Sequence, residues 1–286
     1  MSDYELVRLA NGTFSVHAIA EDETFHPVIG PAAEAQALYV RQLHLPDRIA
    51  AHGREFVIWD VGLGSAANVL TVFTATENIN CSLRVISFDR TIEPLNFAVQ
   101  HAKDLGYVVG YEEPIQQLLK HGHVQFSNKV RSIDWELRVS DFPEWLSKEM
   151  KCKSTETPDA ILYDPFSLAK NPAMWTPQVF SNVFQLLNPQ QPCAVPTYSR
   201  STMLRVTLLL AGFYVGAGHA TGEKEETTIA ANTLSLLNEP LGLEWLRRAR
   251  ISGSAEPMWD GVYRQVPLTH ASWEKLVKHP QFASLK

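Results

Sequence analysis

The sequence predicts an α/β fold: a doubly wound sheet, mainly parallel, that closes in a C-terminal antiparallel hairpin. Three observations carry this. Glu55 to Val61 (EFVIWDV) holds a continuous apolar run, Phe56 to Trp59, that leads into the acid Asp60, the pattern of a central parallel strand covered on both faces. Four more short runs follow, Leu83 to Phe88, Ile133 to Val139, Ala160 to Tyr163 and Cys193 to Tyr198, separated by stretches long enough for helical crossovers. The final two, Phe213 to Gly216 and Thr227 to Ala230, have too short a connection for a crossover and must pair antiparallel.

The elements follow in order. Residues 1–50 are expected to form an N-terminal appendage, with turn signals at Asn11-Gly12 and Gly30-Pro31. A helix is expected after Pro31, placing Ala35, Leu38, Tyr39 and Leu43 on one face. Residues 51–235 hold the sheet. After the Gly62-Leu63-Gly64 turn, helices are expected over Ser65 to Thr76, Glu93 to Leu105, Pro114 to His121 and Phe142 to Met150. Another runs from Thr176 to Leu187 and stops at Asn188-Pro189, and one begins at Ser201, a plausible N-cap, and reaches Ala211. Residues 236–286 form a C-terminal extension expected to pack on the same domain.

Composition excludes several classes. A chain of 286 residues, 45% hydrophobic and 20% charged, buries a large core. No apolar run of about 18 residues exists, so no transmembrane helix is expected. The N-terminus, MSDYELVRLANGTF, lacks a basic segment leading into an apolar core, so no signal peptide is read. Three widely spaced cysteines, Cys81, Cys152 and Cys193, without a CxxC pair, argue against a disulfide framework or a structural zinc site and fit the cytoplasm. The net charge of −6 does not advertise nucleic-acid binding. The tail differs: Leu246 to Lys286 carries seven Lys/Arg against three Asp/Glu.

Ligands of open α/β sheets bind beyond the carboxyl ends of the strands. Asp60, Asp89, Asp141 and Asp164 stand close to four such ends and line one rim. Gly62-x-Gly64-x-x-Ala67 formally satisfies a dinucleotide fingerprint, so an NAD-type nucleotide binder is one reading. Asp60, two residues before the first glycine, would repel a pyrophosphate. The same acid suits S-adenosylmethionine, which carries an amino group and a sulfonium and no phosphate. Gly62 and Gly64 would then accommodate the methionine portion, Asp89 the ribose hydroxyls and Asp141 the adenine amine.

A second segment, Tyr163 to Thr176 (YDPFSLAKNPAMWT), follows a buried-strand pattern. Asp164 sits at the strand end, Pro165 fixes φ, and Phe166 offers a stacking face. This suits a site for a planar group bearing an amine; a turn with a helix-capping acid is the alternative.

On these residues the chain resembles the methyltransferase module of the bacterial tRNA wobble-uridine modification enzymes of the MnmC type, including their stand-alone relatives. The matching segments are DPFSLAKNPAMWT, DVGLGSAANVL, ISFDR, WELRVSD and GPAAEAQALYV, spread over about residues 20–235. The resemblance implies a class I methyltransferase version of the Rossmann fold and methyl transfer to the amine of 5-aminomethyl-uridine, or its 2-thio form, in tRNA. It implies that Asp164 orients and deprotonates the amine and that Phe166 stacks on the base or confines the methyl group. Trp175 would wall the pocket or, equally, anchor the core, while Lys170 and Asn171 order the loop or touch tRNA. Departures are Pro165, Leu168 and Ser140, and an acidic GEKEETT stretch (Glu223, Glu225 and Glu226 around Lys224) where the two-domain enzymes are basic. These departures keep open a second reading, an amine methyltransferase for a small molecule or protein. The chain has no room for the flavin oxidase module of the two-domain enzymes, so a separate enzyme is expected to supply the aminomethyl-uridine.

Overall fold

The computed structural model describes residues 3–222 and 225–283. Its contacts divide into two compact units that interleave along the chain. Unit 1 comprises Met1–Phe142, Ala160–Asp164 and Ala220–Glu225; unit 2 comprises Pro143–Asp159, Pro165–His219 and Glu226–Lys286.

Unit 1 opens with a three-stranded antiparallel sheet, β1 (Tyr4–Arg8), β2 (Phe14–Ala18) and β3 (Glu23–Thr24). The Asn11-Gly12 signal marks the first hairpin. Gly12 sits at φ 86, a left-handed value that glycine adopts without a Cβ clash, and Leu9 N donates to Thr13 O at 2.8 Å. These strands escaped the sequence reading because YELVR and FSVHA are short, with only partial alternation. The expected helix begins at Pro31, as α1 (Pro31–Ala35), and widens into a π-helical stretch, Gln36–Arg41, before α2 (Leu45–Ala50). Ala35, Leu38, Tyr39 and Leu43 are all buried, as the periodicity requires.

The main sheet of unit 1 uses β4 (Phe56–Val61), β5 (Cys81–Asp89), β6 (His123–Ser127), β7 (Arg131–Val139) and β8 (Ala160–Tyr163), in the order β8-β4-β5-β7-β6. All six residues of β4 are buried, which explains its unbroken apolar run. Its ladders to β5 and β8 are parallel, as is that between β5 and β7. The edge strand β6 pairs antiparallel to β7 and was not foreseen. It follows directly on a helix and alternates polar residues on its exposed face. Helices α3 (Ala67–Ala75), α4 (Glu93–Gln100), α5 (Ala102–Leu105) and α6 (Glu112–His121) supply the crossovers. Phe73 on α3 meets Trp135 of β7 edge-on, with ring centroids 5.3 Å apart.

Unit 2 contains α7 (Phe142–Cys152, from its second residue), α8 (Pro177–Leu186), α9 (Thr202–Leu210) and four strands. These are β9 (Ala194–Thr197), β10 (Tyr214–Gly218), β11 (Thr227–Ala231) and β12 (Glu239–Pro240). Every ladder among them is antiparallel, including the expected β10/β11 hairpin. Thr176 caps α8, its hydroxyl accepting from Val179 N at 3.3 Å, with Pro177 at N1. Ser201 occupies the N-cap position of α9 as expected, but its side chain makes no capping bond; its own N–H donates to Ser199 Oγ at 3.2 Å.

The C-terminal extension folds as α10 (Leu243–Ile251), α11 (His270–Leu276) and α12 (Pro280–Ala283). Gln281 ties it to β10: its Nε2 donates to Val215 O at 2.7 Å and Leu241 O at 2.9 Å, while its Oε1 accepts from Val215 N at 2.8 Å. Buried Arg205 donates to Thr227 O at 2.8 Å and to Glu226 Oε1 at 3.0 Å. Glu226 of the acidic stretch is thus paired with a buried cation although its own side chain is 43% exposed, while Glu223, Lys224 and Lys286 lie outside the described residues. All three cysteines are free thiols. Among the described residues no helix is long and apolar enough to cross a membrane, and no group of three or more His, Cys, Asp or Glu is disposed to hold a metal.

Candidate functional site

Parallel registry builds one rim of unit 1. Val61 is level with Phe88 on β5 and with Tyr163 on β8, and Asp89 is level with Val139 on β7. Residues just beyond these positions therefore emerge at the same sheet edge, the carboxyl edge where such sheets bind ligands. Gly62, Asp89, Ser140 and Asp164 begin the four exits. Backbone bonds fix the alignment: Gly62 N donates to Phe88 O at 2.9 Å, Ser140 N to Asp89 O at 2.8 Å, and Asp164 N to Val61 O at 2.9 Å.

Behind that edge lies Asp60, only 1% exposed. Registry sets it opposite Ser87, whose hydroxyl donates to Asp60 Oδ2 at 2.8 Å; Trp135 Nε1 in turn donates to Ser87 Oγ at 2.9 Å. The second oxygen, Asp60 Oδ1, is buried with no hydrogen-bond partner. Burial pushes the Asp60 carboxyl up to about 7; the Ser87 bond opposes this, and the charges of Asp164 and Asp89 add to it. A buried acid with an empty acceptor and a raised pKa lacks a cation or N–H donor. Such an atom suits the ammonium of an amino-acid ligand and opposes a phosphate.

The loop after β4 makes room for that ligand. Gly62 and Gly64 take φ 87 and 51, and Ala66 follows at φ 63, three left-handed positions in five residues. A Cβ on Gly64 would stand 3.3 Å from Phe25 Cε2, a tight approach that adds to the preference of this left-handed position for glycine. Gly64 N donates to Asp89 Oδ2 at 2.8 Å, and Asp89 Oδ1 accepts from Arg90 N at 2.7 Å. Asp89 thus locks the glycine turn, while its carboxylate keeps spare lone pairs for hydroxyl donors. Burial raises its pKa as well, against the lowering by these N–H groups. Ser65, next in the loop, accepts from Tyr107 Oη at 2.8 Å. These features fit S-adenosylmethionine: an unpartnered buried acceptor, a glycine cradle and an acid at the second strand end.

Asp141 follows the end of β7, the strand that pairs with β5. It lies two residues past β7, its side chain is 42% exposed, and Arg90 Nε stands 3.8 Å from its Oδ2.

Asp164 has the most developed surroundings. Asn68, in the first turn of α3, donates from Nδ2 to Asp164 Oδ2 at 2.8 Å. His26 Nε2 stands 3.5 Å from the same oxygen, and His26 Nδ1 is 4.0 Å from Glu34 Oε1 on α1. All three of these ionisable side chains are close to nine-tenths buried. His26 takes φ 48, a left-handed backbone uncommon for histidine and costing of the order of 1 kcal/mol. Asn68 Oδ1 is buried without a partner, leaving a second empty acceptor near the acid. His26, Glu34 and Asn68 were not singled out by the sequence. Asn68 had a signal, a polar residue inside the apolar run ANVLTVF. His26 and Glu34 had none, because their proximity to Asp164 arises only when the first segment folds onto the sheet edge.

Unit 2 carries the continuation of the acid loop. Lys170 N and Asn171 N both donate to Ser167 O, at 3.0 and 2.8 Å, which closes the loop into a turn. Lys170 is exposed; Phe166 and Asn171 are half-buried. Trp175, expected to wall the pocket, is fully buried. Its Nε1 donates to Phe166 O at 2.9 Å, and its ring meets Tyr198 edge-on at 6.0 Å. Trp175 is an anchor: it fixes the backbone of Phe166 and presents no face of its own. Tyr198 Oη donates to Pro165 O at 3.3 Å, so both carbonyls flanking the Phe166 amide link are held.

Comparison with known proteins agrees with this geometry. Residues 112–233 match a family described as S-adenosyl-L-methionine-dependent methyltransferase. Over 217 residues the chain is 26% identical to the tRNA 5-methylaminomethyl-2-thiouridine biosynthesis bifunctional protein MnmC of Ralstonia nicotianae, covering 73% of this chain and 32% of that protein. The corresponding protein of Pseudomonas putida is 28% identical over 227 residues, covering 76% and 33%. The chain therefore spans about a third of the length of these relatives. The crystal structure of MNMC2 from Aquifex aeolicus superposes with a TM-score of 0.67 at 21% identity, covering 97% of this chain and 85% of the other. The expected α/β methyltransferase fold, the S-adenosylmethionine-dependent methyltransferase class and the MnmC-type resemblance are borne out.

Proposed function

We propose that this chain methylates the amine of 5-aminomethyl-uridine, or of its 2-thio form, at the wobble position of tRNA. The observation that carries the reading is Asp164, held by Asn68 and faced by His26 at the rim that begins with the glycine loop. The similarity to the MnmC proteins supplies the substrate class.

A primary ammonium has no lone pair, so the acceptor must lose a proton before it attacks. Asp164 Oδ1, which Asn68 and His26 leave available, accepts a hydrogen bond from the amine and aims its lone pair. The leaving proton passes to the carboxylate and, through His26, toward Glu34. Asn68 fixes the carboxylate rotamer, so orientation is set before the substrate arrives. Asp60 and the Gly62–Gly64 turn hold the amino-acid end of the cofactor, and Asp89 its ribose. S-adenosylmethionine, when bound, supplies an electrophilic methyl on a positively charged sulfur. Phe166, with its carbonyl clamped by Trp175, offers the face on which the uracil ring stacks, and Lys170 is free to meet phosphate. A separate enzyme of the same modification route supplies the aminomethyl group.

The acidic GEKEETT departure weighs less against RNA than its charge suggests, since Glu226 is paired with Arg205. The test is transfer of label from methyl-labelled S-adenosylmethionine to tRNA lacking the terminal methyl, followed by nucleoside digestion. Label in a 5-methylaminomethyl nucleoside supports the reading. Label found solely in small amines or protein would favour the second class of acceptor.

A further inference from the structure

Unit 2 exposes a run of large side chains that a soluble protein ordinarily hides. Trp259 is 51% exposed, Val262 47%, Tyr263 38% and Val266 40%, all within eight residues between α10 and α11. This loop is not loose. Ala255 N and Glu256 N both donate to Val266 O, at 3.0 and 3.2 Å, closing its base. Buried Glu256 accepts from Trp259 Nε1 at 2.9 Å, Thr269 N at 2.8 Å and Ser272 Oγ at 2.7 Å. Its tip is pressed against the acid-loop segment: a Cβ on Gly261 would lie 3.6 Å from Ala173 Cα and 3.7 Å from Thr176 Cγ2. The exposed aromatics therefore adjoin the segment that carries Lys170, Asn171 and Trp175.

Cations interleave with these rings. Lys275 Nζ lies 5.5 Å from the Trp259 ring centroid, and Arg250 is 5.3 Å from that of Trp273 on α11. Arg247, Arg248, Arg250, Lys275 and Lys278 are exposed, and among the described residues none is in an ion pair; Arg264 is paired to Asp260 at 2.7 Å. In a chain of net charge −6 this is the stretch with seven Lys/Arg against three Asp/Glu. Flat rings beside unpaired cations match the two halves of a nucleotide, the base and the phosphate. A purely apolar protein partner would leave those cations facing nothing.

We propose that the Trp259–Val266 loop with α10 and α11 is a docking surface for single-stranded RNA, on which Trp259 and Tyr263 stack unpaired bases. Lys275, Arg250 and their neighbours meet the phosphates. The proposal rests on the tRNA reading above and extends it to the contacts that hold the RNA on unit 2.

The test measures binding of a fluorescently labelled hairpin with the anticodon-loop sequence, and of a blunt RNA duplex of equal length, to the wild-type chain and to W259A, W259F, Y263A and K275A. The expected result is about tenfold weaker hairpin binding for Y263A and W259A, with W259F close to wild type because the stacking ring remains. K275A should reduce the slope of log affinity against log salt by roughly one. The duplex should bind weakly and be indifferent to Tyr263. The KM for tRNA should rise in parallel with the hairpin dissociation constant. W259A removes a donor to buried Glu256, so Y263A, whose hydroxyl bonds only exposed Gln265, guards against misfolding. Unchanged hairpin binding by Y263A, or equal losses on duplex and hairpin, would overturn the proposal while methyl transfer to tRNA left the functional reading intact. A concentration-dependent dimer that Y263A dissociates, with RNA binding unaltered, would assign the surface to a second copy instead. If the wild-type chain neither binds nor methylates RNA, the functional reading fails and the docking surface with it.

Discussion

Asp60→Asn isolates the electrostatics of the buried acid. Asp60 is 1% exposed, has one donor and one empty oxygen, and titrates at about 7 in the folded chain against an ordinary value of 3.8. Between pH 4 and 7 the folded chain keeps a proton here that the unfolded chain has released. The folded state binds more protons, so stability falls as pH rises through this window and levels off above about 7. The full difference corresponds to about 4 kcal/mol as an upper bound. An asparagine resembles the protonated acid in shape and does not ionise. D60N should therefore match the wild type below about pH 4, exceed it by about 1.5 kcal/mol near pH 5 and by roughly 2–4 kcal/mol near pH 8.5, all without ligand. Urea denaturation across pH 5–8.5 reads this directly, and subtracting the two curves cancels the other titrating groups. Cofactor affinity supplies the second arm. A cationic ligand prefers the carboxylate, so wild-type affinity for S-adenosylmethionine should climb with pH up to about 7. The affinity of D60N should be weaker and flat. Parallel stability curves, or undiminished affinity in D60N, would refute the reasoning.

Three further outcomes follow from the same geometry. Asp164→Asn should lower kcat by about 10²–10⁴-fold while leaving S-adenosylmethionine affinity within a few-fold, measured by steady-state kinetics and calorimetry; equal losses would make Asp164 structural. His26→Gln, which keeps a hydrogen-bonding side chain and removes the imidazole, should lower kcat by about tenfold or more and change the shape of the kcat–pH profile. An unaltered profile would mean that His26 only packs. Trp175→Ala should cost about 3–5 kcal/mol in denaturant unfolding, because a fully buried indole and its bond to the Phe166 carbonyl are both lost. A rise in KM without loss of stability would return Trp175 to the substrate pocket.

Much of this was legible along the chain because the periodicities are local. EFVIWDV announced β4 since both faces of that strand are covered, and AILY marked β8 to the residue. The short connection between β10 and β11 forced their antiparallel pairing. The short strands β1, β2, β3 and β6 were not legible: partial burial gives five or fewer residues only a weak alternation. Trp175 misled for a different reason. A tryptophan after a polar turn reads equally as a pocket wall or an anchor, and only its burial and its bond to Phe166 O decide.

The sequence by itself determined the fold class, the acids at the strand ends, the glycine turn and the methyltransferase resemblance, since each is assembled from short contiguous segments whose pattern is local. Tertiary structure decided what those acids do. Registry between β4 and β5 gave Asp60 a single hydroxyl partner and left its other oxygen empty. The fold of the first segment brought His26 to Asp164, and Arg90 came to stand 3.8 Å from Asp141. Burial, charge proximity and hydrogen-bond supply set the properties of a carboxylate, and all three depend on residues far away in the chain.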